Sequence, residues 1–171
     1  YNCFKTISNL GFSVLRFNYR GVGNSEGKYS GDEGIGEMTD AACALDWLLF
    51  NNTSSTKVWV VGFSFGAFIA LNLLMRRPEI QNFIAISPPA DKYDFSFLAP
   101  CPVSGMIMQG DNDDIVNETD VALFANKLDA QRSINIKYYK VKGADHFFTD
   151  KLDIVNDTVK KYVSNTLISS T

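Results

Sequence analysis

Short apolar runs rich in β-branched and aromatic residues alternate along this chain with longer segments whose apolar residues recur every three or four positions. The first kind suits strands buried on both faces, and it occurs at Phe12 to Asn18, Lys57 to Gly62, Asn82 to Ser87, Val103 to Gln109 and Asn135 to Val141. The second predicts helices at Cys3 to Leu10, Gly36 to Phe50, Phe65 to Arg76, Glu118 to Asp129 and Asp150 to Leu167, with Gly11 ending the first and Pro78 closing the third. Strands alternating with helices predict an α/β protein built on a mostly parallel sheet with helices on both faces. Linkers are short except Arg20 to Ile35 and Pro88 to Pro102, and these two loops are where binding surface is expected.

Composition narrows the classes. At 171 residues, 46% hydrophobic and 13% aromatic, the chain suits one domain with a substantial core. A net charge of -3, with only the pairs Arg76-Arg77 and Lys160-Lys161 as basic runs, argues against nucleic acid as a partner. Cys3, Cys43 and Cys101 are widely spaced and accompany a single histidine, which fits neither a metal site nor a disulfide framework. Cys43, in an apolar run, and Cys101, between two prolines, are expected to be small packing residues rather than reactive thiols, in a reducing, cytoplasmic setting. No apolar stretch reaches the roughly 20 residues of a membrane span. Gly21, Gly23, Gly27, Gly31 and Gly34 enrich the first long loop, but their spacing matches no phosphate-binding fingerprint, so no nucleotide cofactor is expected.

The candidate chemistry starts at Gly62-Phe63-Ser64-Phe65-Gly66, between the run Val58-Trp59-Val60-Val61 and a helical segment. Strand, Gly-x-Ser-x-Gly and helix in succession predict a tight turn that presents a serine hydroxyl at the sheet edge. A glycine-rich turn carrying an ordinary serine would look the same in isolation. A serine nucleophile needs a base and a group that orients the base. Only His146 offers an imidazole, and it lies just after the last strand, at the carboxyl-terminal edge that also holds Ser64. Gln109-Gly110-Asp111-Asn112-Asp113-Asp114 follows the fourth strand and brings three candidate carboxylates to that edge, although an acidic turn capping the next helix has the same composition. Asp145 adjoins His146 and is poorly placed to orient it. Serine, acid and histidine in this chain order, each after a strand, is the α/β-hydrolase order.

On these residues the chain resembles the α/β-hydrolase superfamily, near the small bacterial hydrolases similar to dienelactone hydrolases and prolyl-oligopeptidase catalytic domains. Phe17 to Gly27 resembles the loop after the family's fourth strand, Gly62 to Gly66 its elbow, Gly110 to Val116 its acid turn and Gly143 to Phe148 its histidine loop. The resemblance implies a three-layer fold over residues 1–171 as one domain, with Ser64, Asp113 and His146 as catalytic residues and Asp111 and Asp114 as substitutes for the acid. It implies the backbone amide of Phe65 as an oxyanion donor, and no cofactor or metal. It also implies strands upstream of the first helix that this sequence does not carry, one of them lying between Phe12 to Asn18 and Lys57 to Gly62. Those two runs are therefore not expected to pair directly. A second oxyanion donor would come from the loop after that strand, and its loss would cost on the order of 100-fold in rate.

The expected reaction is hydrolysis of a small carboxylic ester or thioester through an acyl-enzyme at Ser64, with ester bonds favoured over peptide bonds. The Pro88 to Cys101 connection is too short for a large lid, and Phe63, Phe65, Tyr93, Phe95, Phe97 and Phe147 are candidates for an apolar acyl pocket. A peptidase of the prolyl-oligopeptidase-like group and a non-catalytic binding protein of the same fold are the alternatives.

Overall fold

The computed structural model describes residues 2–29, 34–54 and 57–168. Gly31 and the middle of the first long loop lie outside the described residues. In chain order the elements are α1 (Asn2–Ser8), α2 (Ile35–Phe50), β1 (Val58–Phe63), α3 (Phe65–Leu74), β2 (Ile80–Ile86), a 3-10 turn (Ser96–Leu98), β3 (Gly105–Gly110), α4 (Glu118–Asp129), β4 (Ile136–Val141) and α5 (Leu152–Ile168). The four strands form one parallel sheet in the order β1-β2-β3-β4.

Side chains alternating along the strands feed two cores, which is why the strands read as unbroken apolar runs. Phe83, Ala85 and Ile107 face α2, α3 and α4, and with Leu45, Leu71 and Phe124 they make the larger core. Ile84, Ile86, Met106 and Met108 point the other way, toward Ile7 of α1 and Val155, Val159 and Val163 of α5. Three layers result: helices, sheet, helices. Inside the second core the phenol of Tyr162 donates to Asn82 Oδ1 at 2.7 Å, so this buried polar pair is satisfied.

The ends of the helices follow local chemistry. α4 has the span expected from its sequence because Asn117 Oδ1 accepts from Thr119 N–H at 2.8 Å, while Glu118 and Asp120 sit in the first turn and Lys127 in the last. α5 begins two residues later than expected. Asp150 takes φ 57°, a left-handed conformation that cannot enter a right-handed helix.

The Phe12 to Asn18 run corrects the expectation of a fifth strand. It has the composition of a strand but no ladder partner among the described residues, and the ring of Phe12 meets Trp59 of β1 edge-on at 5.9 Å. It does not pair with β1. Between the two lies an open slot of about 470 Å³, lined by Phe12, Val14 and Leu15 on one side and Val58, Trp59 and Val61 on the other. Just beyond this run, Arg20 fastens the loop to α2 through Asp40, with its Nη2 2.7 Å from Oδ1 and its Nε 3.1 Å from Oδ2.

Candidate active site

β1 delivers Ser64 into the first turn of α3 with φ 52° and ψ −124°, a conformation that L-residues avoid. The turn is held by Ser64 N–H donating to Ile86 O at 2.8 Å, which ties the elbow to the end of β2. Gly62 is what lets the chain turn so sharply. A Cβ there would lie 2.3 Å from Gly66 O and 2.5 Å from Ala67 Cα, both backbone atoms with no room to retreat. Phe65, the first residue of α3, has an N–H that the helix itself cannot satisfy.

The acid and histidine turns are fastened together at the far side of the sheet. Gly110 closes β3 against the second turn, where a Cβ would stand 2.3 Å from Ala144 O. Asn112 N–H donates to Ala144 O at 3.0 Å, and Asp111 Oδ1 accepts from Gly143 N–H at 2.5 Å. Phe148, buried beneath the histidine turn, anchors it to the core around α5. These contacts fix two short loops from different strands at one spacing.

Within that frame His146 Nδ1 lies 2.8 Å from Asp113 Oδ2, and its Nε2 lies 3.0 Å from Ser64 Oγ. Of the three aspartates in the acid turn, the structure brings Asp113 to the histidine. Asp111 is committed to Gly143, and Asp114 is exposed. Asp145 accepts from Thr149 N–H at 2.8 Å and so turns away from the ring beside it.

The carboxylate of Asp113 is fully enclosed, and every group around it donates. Oδ1 accepts from Ile115 N–H at 2.9 Å and Val116 N–H at 2.8 Å, while Oδ2 accepts from His146 and from the amide of Gln109 at 2.8 Å. Burial opposes its charge, but the donors from Val116, His146, Ile115 and Gln109 outweigh burial and hold the carboxyl below the usual carboxylate range. An ionised Asp113 accepting from Nδ1–H leaves Nε2 with its lone pair toward Ser64, which is the tautomer a general base requires. Gln109 escaped the sequence reading. The signal was present in a polar residue ending an apolar strand, four positions before the acid.

The six aromatic candidates divide into two groups. Phe63 and Phe147 flank His146, with ring centroids 5.0 and 5.1 Å from the imidazole, and both are exposed. Phe65 and Tyr93 join Phe68, Phe95 and Phe97 in a cluster on the α3 side, where Phe95 also packs on Phe124 in the core. Among the described residues no group of three or more histidines, cysteines and acids could hold a metal ion. No helix among them is long and apolar enough to cross a membrane.

Known proteins share this arrangement of fold and sequence. Residues 7–146 match the family model of X-Pro dipeptidyl-peptidase (S15 family). An uncharacterized protein of Rickettsia prowazekii is 52% identical over 167 residues, covering 95% of this chain and 69% of that protein. A protein of unknown function from Agrobacterium tumefaciens, described as a candidate α/β hydrolase, superposes with a TM-score of 0.95 at 44% identity, covering 99% of this chain and 77% of the other. An α/β serine hydrolase without lid from Xanthomonas campestris superposes with a TM-score of 0.83 at 31% identity, covering 96% and 71%.

Proposed function

Because the chain belongs to the X-Pro dipeptidyl-peptidase (S15) family of α/β hydrolases, we propose that it hydrolyses a carboxylic ester or thioester through an acyl-enzyme at Ser64. The observation that carries this reading is the unbroken relay from Asp113 Oδ2 through both ring nitrogens of His146 to Ser64 Oγ, at 2.8 and 3.0 Å. In the first step Ser64 Oγ attacks the acyl carbon while His146 Nε2 takes its proton. Asp113 stabilises the imidazolium through Nδ1–H without itself becoming protonated. The N–H of Phe65 donates to the developing oxyanion. Collapse of the tetrahedral intermediate breaks the bond to the leaving alcohol or thiol, which receives the proton from Nε2. Water, deprotonated by the same nitrogen, then attacks the acyl carbon, and collapse of this second tetrahedral intermediate breaks the bond to Ser64 Oγ, which takes the proton back from Nε2 as the acid leaves.

Two features favour small or soluble acyl substrates. The connection between β2 and β3 contains only the 3-10 turn Ser96–Leu98, so it supplies no large cover for Ser64. A relative at 31% identity is itself described as lacking a lid. A second reading, release of an X-Pro dipeptide by cleavage of the peptide bond after the proline, rests on the name of the matched family.

Intact-mass analysis of the full-length protein after treatment with a fluorophosphonate tests the nucleophile. A single adduct is expected, absent in Ser64→Ala and formed far more slowly in His146→Ala. A panel of p-nitrophenyl esters, an acyl thioester and X-Pro p-nitroanilides then separates the reactions. No adduct on a folded protein would favour a non-catalytic binding role, and turnover of the anilides alone would replace the ester reading with the peptidase one.

A further inference from the structure

Gln109 is the last polar group in the relay that the reaction above leaves without a task. It is fully buried at the end of β3. Its Nε2 donates to Asp113 Oδ2 at 2.8 Å and reaches Gly110 O and Val116 O at 3.3 Å each. Its Oε1 has no partner among the described residues. Reversing the amide would set Oε1 against three oxygen atoms, so the neighbours fix its orientation.

A buried acceptor left unpaired is destabilising, so what Gln109 supplies here is the donor on Nε2. What Gln109 gains is a place on the one carboxylate oxygen that the histidine also uses. We propose that Gln109 is a positioning residue that shares Asp113 Oδ2 with His146 and so sets how much of the carboxylate's charge the imidazole receives. This rests on the hydrolase reading of Ser64, His146 and Asp113. Two donors divide the lone pairs of Oδ2. Removing one leaves the oxygen to Nδ1–H alone, which favours the imidazolium over the neutral ring. Among the described residues the charged group hydrogen-bonded to His146 is Asp113. Asp145 faces Thr149 N–H, and the rings of Phe63 and Phe147 beside the imidazole carry no charge.

The test is the pH dependence of fluorophosphonate adduct formation on the full-length protein, compared with Gln109→Met, which keeps the volume and removes the donor. The acid-side fall in labelling is expected to move to higher pH by roughly half a unit. An unmoved acid limb overturns the proposal, and so does a limb displaced downward, the direction expected if Asp113 simply released the imidazole. Gln109→Glu keeps the claim open to refutation should the Met variant not fold. A protonated glutamic acid can still donate to Oδ2, whereas its ionised form repels Asp113, so this variant is expected to lose labelling on the alkaline side. A wild-type profile across the whole range would overturn the proposal. Failure of the wild-type protein to label at all would instead refute the hydrolase reading itself, and this inference with it.

Discussion

Replacing Asp113 with asparagine tests the centre of the site, because this carboxylate is surrounded by donors alone. Oδ1 receives the N–H groups of Ile115 and Val116, and Oδ2 receives Gln109 Nε2 and His146 Nδ1. Asparagine offers one acceptor and one NH2, so in either orientation its NH2 must face two donors. If the oxygen stays on the backbone amides, His146 can only accept from the new NH2, which moves its proton to Nε2. That nitrogen can then no longer take the proton of Ser64. The expected loss in labelling or turnover at neutral pH is on the order of 10⁴-fold.

Stability should fall as well. Two donors lose a charged acceptor worth about 1.5 kcal/mol each at the low end, about 3 kcal/mol in all. For a domain of this size that is a drop of roughly 6–12 °C in Tm. The pH dependence has a definite sign. Folding lowers the pKa of Asp113, so its stabilising contribution is present above the unfolded value of about 3.9 and is lost as pH falls through the lower folded value. The Tm gap between wild type and Asp113→Asn should therefore narrow on acidification below about pH 4. Fluorophosphonate labelling rates and thermal melts of the full-length proteins from neutral to acidic pH provide the assay. Labelling of the variant within about ten-fold of wild type at neutral pH would refute the tautomer argument. A Tm gap that stays constant across the acid range would refute the electrostatic one.

Two further outcomes concern the elbow. Ser64→Ala and Ser64→Gly should both abolish labelling, but the glycine variant should melt at the higher temperature, because φ 52° costs a non-glycine residue about 1–3 kcal/mol. Equal melting points, or a more stable alanine variant, would show that the turn is not strained. Gly62→Ala should destabilise the protein and suppress labelling of Ser64, since the new methyl would lie 2.3 Å from Gly66 O. Thermal melts paired with adduct mass would check it, and a variant with normal melting and labelling would contradict the steric account.

The sequence by itself determined whatever depends on local pattern. Apolar runs marked β1, β2, β3 and β4 because a parallel sheet covered on both faces requires strands apolar on both faces, and each was located to within two residues at its ends. Asn117 and its acidic neighbours located the start of α4, since a helix cap is a local hydrogen bond. Gly62 to Gly66 marked the elbow, because only small residues tolerate backbone packed so tightly. The order of Ser64, Asp113 and His146 placed all three at one edge of the sheet.

Tertiary structure decided what depends on neighbours distant in sequence. Phe12 to Asn18 has the composition of a strand, but a strand exists only with a partner, and none lies against it among the described residues. Asp111, Asp113 and Asp114 are nearly equivalent in sequence. They separate only when Gly143 claims the first, His146 the second and solvent the third. The amide of Gln109 has meaning only beside the carboxylate four residues on, because a buried polar group is defined by what it can reach. Pattern along the chain selects elements through local sterics and burial, whereas the chemistry of the site comes from hydrogen bonds that exist only once the sheet has brought its loops together.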